Sequence, residues 1–228
     1  ECFLNKEREA GFNVEQIQVL NAIPTYNVFG QTANNAEFDF KDIDKEGVYS
    51  YWNHLDYIVN MAEQNGIFIA MDCIWGSQIN KMNIKQAQAY GTFLGNRYKS
   101  HSNIIWMMGG DIRGDVHPEI WDALARAIKK VDPNHLMTYH PRGRTTSATW
   151  FNDREWLDFN MFQSGHRRYG QRNGDGDYTI KENTEEDNWR YVEASQAVNP
   201  LKPVLDGEPS YEDIPQGLHD FNEPRWKD

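Results

Sequence analysis

The sequence predicts an α/β domain whose parallel strands close into a (β/α)8 barrel, with strands two to seven recognisable and the first and last missing or outside the chain. Three observations predict it. Short apolar runs bounded by turn residues alternate with longer amphipathic segments, the order in which strands pair in parallel through crossover helices. The runs are apolar on both faces, as strands covered on both sides are. No GxGxxG or P-loop glycine pattern follows the first run. Instead Asn21, Trp75, Asp111, His140, His166 and Glu208 follow the ends of successive runs, where a barrel gathers the residues of its mouth.

In chain order, residues 1–10 read as the end of a helix leading into Gly11, and 12–20 as a strand. Residues 50–64 place Trp52, Leu55, Val59 and Ala62 on one helical face and stop at Asn65-Gly66, a good helix end. A strand over 67–74 follows, then a helix over 83–98 that aligns Ala87, Tyr90 and Leu94. The run 104–108 is the next strand. Pro118 suits a first helical turn, Ile120, Leu124 and Ile128 line up behind it, and Asp132-Pro133 ends the segment. Strands over 136–140, 158–163 and 203–206 complete six, with a helix over 184–198 closed by Asn199-Pro200. A whole barrel takes about 250 residues and eight strands, so a fragment of a longer protein is expected. Residues 171–177, QRNGDGD, have the composition of a mobile loop.

With 39% of its 228 residues apolar, the chain can bury one core, and 1–228 reads as a single domain. The net charge of −11 argues against nucleic acid and anionic membranes as partners. No run approaches the roughly 18 apolar residues that span a bilayer, and the opening residues do not form a signal peptide. Cys2 and Cys73 are too few for a disulfide framework, no Cys/His spacing suggests zinc, and no cofactor fingerprint is found.

Two strand ends carry the candidate chemistry. IIWMMGGD, 104–111, is an apolar run ending in two glycines and a carboxylate, and the glycines let the backbone turn so that Asp111 projects. A helix N-cap is the plainer role for Asp111, but that position is better filled nearer Pro118. PVLDGEP, 203–209, ends in Asp206 and Glu208, two residues apart and so on one face if the strand persists. Burying such a pair is costly without partners, which favours chemistry for Glu208 and a supporting hydrogen-bond role for Asp206. Strand ends three apart face each other across a barrel mouth. The Asp111 and Glu208 pair therefore matches glycoside hydrolysis, in which one carboxyl protonates the leaving oxygen and the other attacks the anomeric carbon. Ionised Glu208 would raise the pKa of Asp111.

Around this pair, Trp75, Tyr139, Trp150 and Tyr211 are candidate platforms for the C–H faces of sugars, with core packing as the alternative for each. His140 and His166, in Tyr-His-Pro and Gln163-Ser-Gly-His settings, suit sugar hydroxyls better than a metal. Arg167, beside Arg168, could hold a uronate carboxylate or simply be a solvated loop charge.

The stretches GFNVEQIQVLN, YWNHLDYIV, YGTFLGNRYK, NIIWMMGGD, HLMTYHPRG, WLDFNMFQSGH and KPVLDGEPSYED resemble, in order and spacing, the apiosidase-like glycoside hydrolases of family 140 over most of residues 11–213. The resemblance implies a retaining barrel enzyme that removes apiose-linked side chains from rhamnogalacturonan II, a pectin, in the bacterial periplasm or outside the cell. It implies Asp111 as acid/base, Glu208 as nucleophile, no cofactor, and in the full-length protein a following β-sandwich domain. Three alternatives stand beside it. One is a glycosidase of the same barrel clan with another substrate, such as an endoglucanase. Another is a metal-dependent amidohydrolase using His140 and His166, for which no His-x-His is found. The last is a carbohydrate-binding barrel without catalysis, against which the two carboxylates argue.

Overall fold

The computed structural model describes residues 2–35, 37–40, 43–166, 188–218 and 221–227. They pack as two compact units. The first takes Glu1–Gly109 and His117–Met137, and the second Gly110–Val116 and Thr138–Asp228.

In the first unit two helices begin on a reciprocal side-chain cap. Ser50 accepts the Asn53 amide while the Asn53 side chain accepts the Ser50 amide, opening α2, Tyr51–Gln64. Asn83 and Gln86 repeat the arrangement ahead of α3, Ile84–Tyr98. These pairs satisfy amides that the first helical turn leaves free. Helix α4, Pro118–Val131, has Pro at its first turn and no side-chain cap, and a short α1, Cys2–Ala10, opens the chain. The strands are β1 (Val14–Gln18), β2 (Phe68–Asp72) and the start of β3 (Ile104–Ile112). β1 pairs in parallel with β2, and β2 with β3. The Trp106 amide reaches the Leu136 carbonyl at 2.8 Å and carries the ladder one strand further.

Trp52, Leu55, Val59 and Ala62 of α2 are all buried, the face expected from their spacing. Helices α3 and α4 approach closely because α3 carries glycine at the contact. A Cβ on Gly91 would stand 2.6 Å from the Leu124 carbonyl oxygen, and one on Gly95 would stand 2.5 Å from Val131 Cγ2. Cys73 is a buried free thiol, and no described helix is long and apolar enough to cross a membrane.

The second unit holds the end of β3, then β4 (Met137–Pro141), β5 (Thr145–Thr146), α5 (Ala148–Phe151), β6 (Asn160–Gln163), α6 (Asn188–Gln196) and β7 (Val204–Asp206). β6 pairs in parallel with β7. Its other edge is taken by β5, antiparallel, with Thr145 opposite Gln163. The core includes Phe162 stacked on Tyr191 at 5.2 Å and Tyr139 against Phe151 at 4.7 Å. A buried polar chain runs from Ser147 to Asn160 (2.9 Å), on to Asn152 (2.8 Å) and to the Pro200 carbonyl (3.0 Å), so each member is paired.

Parallel strands joined through helices are thus present, and the fold class is α/β. Among the described residues the strands fall into two hydrogen-bonded sheets, not one closed ring. The two-residue β5 and the turn α5 are too short to leave a periodic signal in the sequence. β3 runs four residues beyond its expected end and includes Asp111. The last helix is seen from Asn188, and its expected start at 184–187 lies outside the described residues, as does the 171–177 loop.

Candidate active site

Every described candidate residue except Trp75 lies in the second unit. At the end of β3 three successive residues have positive φ, 97° at Gly109, 97° at Gly110 and 51° at Asp111. Glycine adopts this region freely, whereas an aspartate there is sterically strained. The turn leaves Asp111 exposed. Its amide donates to His140 Nδ1 at 3.3 Å, and the Gly143 amide donates to its carboxylate. Although the residue as a whole is exposed, the surrounding protein partly desolvates its carboxyl, and this and then the Glu208 charge push its pKa up, against the opposing pull of the Gly143 amide, His140 and Arg142.

β7 stops at Asp206 because Gly207 turns the chain hard against β6. A Cβ at Gly207 would collide with the Met161 thioether, and the Gly207 amide donates to the Phe162 carbonyl at 2.8 Å. Glu208 then meets three donors. His166 Nε2 lies 3.1 Å from Oε1, His140 Nε2 lies 3.3 Å from Oε2, and the Tyr211 hydroxyl donates to Oε1. Burial alone would raise the pKa of Glu208, but the hydrogen bonds from His140, His166 and Tyr211 outweigh it and hold the group well below the carboxylate range. Burial and the Glu208 charge raise Tyr211 in turn.

Asp206 supports this arrangement from behind. Its Oδ1 accepts the Ser164 and Glu208 amides, each at 3.3 Å, and its Oδ2 accepts Ser164 Oγ at 2.6 Å and Asn188 Nδ2 at 3.2 Å. Burial pushes its pKa up despite those donors.

The remaining candidates divide. His140, His166 and Tyr211 converge on Glu208, and the His166 and Tyr211 rings lie 4.2 Å apart. Gln163 is buried beside Gly143, with its Oε1 enclosed and without a hydrogen-bond partner among the described residues. Tyr139 is fully buried and its hydroxyl donates to the Ile112 carbonyl at 3.1 Å, so it packs as core and offers no platform. Strand alternation accounts for this, since neighbours Tyr139 and His140 face opposite ways. Trp75, half-buried in the first unit, precedes the 3-10 helix Gly76–Lys81 and donates its amide to the Leu20 carbonyl at 2.9 Å. Arg167 lies outside the described residues. Sequence reasoning passed over Ser164, Gly143 and Asn188. Only Ser164, inside the Gln-Ser-Gly-His stretch, carried a local signal. Among the described residues no group of three His, Cys, Asp or Glu side chains is arranged to hold a metal ion.

Chemically, the arrangement sets a carboxyl whose pKa is raised near another whose pKa is lowered, with hydrogen-bond donors concentrated on the second. Comparisons with known proteins identify the family. The model of the family described as Apiosidase-like, catalytic domain, matches residues 1–228. A crystal structure of a glycoside hydrolase family 5 from Bacteroides vulgatus ATCC 8482 is 66% identical, with a TM-score of 0.94 over 99% of this chain and 49% of that one. A second solved protein, named glycoside hydrolase, is 60% identical with a TM-score of 0.94 over 99% and 51%. The chain therefore spans about half the length of these solved relatives. A putative glycoside hydrolase from the same Bacteroides, 19% identical with a TM-score of 0.50 over 70% and 34%, shares the fold alone. No curated protein matches. The match along the whole chain and the identity to the two solved relatives establish that this chain belongs to the apiosidase-like catalytic domain family.

Proposed function

We propose that this chain carries the catalytic centre of a retaining glycoside hydrolase, with Asp111 as acid/base and Glu208 as nucleophile. The observation that carries the reading is the opposed perturbation of the two carboxyls, Asp111 raised and Glu208 lowered by three donors. Protonated Asp111 gives its proton to the glycosidic oxygen as Glu208 attacks the anomeric carbon and the leaving sugar departs. Asp111, now ionised, takes a proton from water, whose oxygen displaces Glu208 and restores both groups with net retention. When Glu208 is esterified its charge is gone, and Asp111 becomes the stronger acid that its second role as base requires.

For the substrate, family membership supports an apiose-linked side chain of rhamnogalacturonan II, reached in the periplasm or outside the cell, with Gln163, His166, Tyr211 and Arg167 as candidate sugar contacts. The family 5 name of one solved relative supports a second reading, a different plant polysaccharide as substrate. We also read the βα order as part of a (β/α)8 barrel completed by the rest of a longer protein, with a β-sandwich domain after it. The deciding experiment is hydrolysis of pectic oligosaccharides and of aryl glycosides by the full-length protein, following anomeric configuration by proton NMR. Release of apiose with retention supports the reading. Inversion removes Glu208 as nucleophile, and cleavage of β-glucan alone replaces the substrate.

A further inference from the structure

We infer that His140 is a positioning residue that ties the two carboxylates together, its ring set by the Asp111 backbone and its Nε2–H holding the Glu208 oxygen that attacks. The inference rests on the catalytic reading above. His140 is buried on β4, and its two nitrogens face the two arms of the site. Nδ1 lies 3.3 Å from the Asp111 amide and Nε2 lies 3.3 Å from Glu208 Oε2. A backbone amide always carries its hydrogen, so the nitrogen it points at must offer a lone pair. A proton on Nδ1 would instead serve the Pro141 carbonyl, 3.1 Å away, and would face the Asp111 amide hydrogen. Accepting from Asp111 leaves the ring's proton on Nε2, where it can only be donated, and Glu208 is the acceptor there.

The two oxygens of Glu208 are unequally engaged. Among the described residues, Oε1 accepts from both His166 and Tyr211, while Oε2 lies against His140. The oxygen with fewer donors keeps more of its nucleophilicity, which makes Oε2 the attacking atom and His140 the group that orients it. The positive-φ turn at Gly109, Gly110 and Asp111 gains a second purpose here. It aims the Asp111 side chain and also turns its amide onto the ring that sets Glu208.

The test follows the ionisation of Glu208 and needs no substrate. The groups facing Glu208 are Asp111, His140, His166 and Tyr211, with Asp206 behind its amide, so the variants change His140 alone. In full-length protein carrying carboxyl-labelled glutamate, with the Glu208 resonance identified by its loss in Glu208→Gln, His140→Ala should begin to protonate Glu208 about one pH unit higher than wild type. His140→Gln, which restores a donor at the Nε2 position, should recover most of that shift, and turnover of an aryl glycoside should follow the same order. An unchanged Glu208 titration in folded His140→Ala overturns the proposal. Should His140→Ala fail to fold, the nitrogen-15 spectrum of wild-type His140 decides, since a proton on Nε2 supports the proposal and one on Nδ1 overturns it. Turnover surviving in Glu208→Gln would instead sink the catalytic reading, whatever His140 does.

Discussion

The Tyr211 hydroxyl is one of three donors on the Glu208 carboxylate, and a hydrogen bond to a charged group contributes about 1.5–3 kcal/mol. Tyr211→Phe should therefore lower kcat/KM about tenfold and move its acid limb to higher pH, measured on an aryl glycoside. Removing the reacting groups goes further. Asp111→Asn should lower kcat by about 10²–10⁴, and an unimpaired variant would take Asp111 out of the mechanism. The two carboxyls also act on stability with opposite signs. Glu208 titrates below its ordinary 4.5, so its contribution is full above that value and is lost as pH falls through the folded value. Asp111 titrates above its ordinary 3.8, so the folded state holds the proton more tightly and stability declines as pH rises through the folded value. Thermal melts at pH 7 should accordingly find Asp111→Asn at least as stable as wild type, with Glu208→Gln less stable. The reverse order would contradict the assigned directions.

Among the elements, the sharpest constraints are close approaches that only glycine permits. Gly91→Ala pushes a methyl into the Leu124 backbone carbonyl between α3 and α4, where no side chain can swing aside. A loss of about 1–3 kcal/mol, read from the urea midpoint, is expected for such overpacking. Gly207→Ala instead meets a flexible thioether. It should displace Glu208 and lower activity, and a second change, Met161→Ala, should restore part of that activity by making room. No recovery in the double variant would mean that backbone conformation, not the Met161 contact, sets the turn. Helix caps were legible beforehand only in part. The end of α2 at Asn65-Gly66 is evident in the sequence, while the reciprocal Ser50 and Asn53 bonds are a feature of the folded structure.

At the scale of the whole molecule the net charge of −11 works against an acidic substrate. If pectic oligosaccharides bearing uronates are cleaved, kcat/KM should rise as salt shortens the screening length toward about 8 Å, and a neutral aryl glycoside should show no such rise. The sequence by itself determined the α/β class and the order of six strands and of helices α1, α2, α3, α4 and α6, because apolar periodicity and turn residues are local signals. It also singled out Asp111 and Glu208, since carboxylates at the ends of apolar runs are anomalous without any neighbour in view. Tertiary structure alone decided what surrounds them. That His140, His166 and Tyr211 all turn onto Glu208 depends on side-chain directions at separate chain positions, as does the burial of Tyr139, one residue from His140 and on the other face of the same strand. The opposed titration of the two carboxyls was decided there too, for it arises from burial and from donors brought in by β4, by the residues after β6 and by the turn after β7, and none of those distances is written in the spacing of residues along the chain.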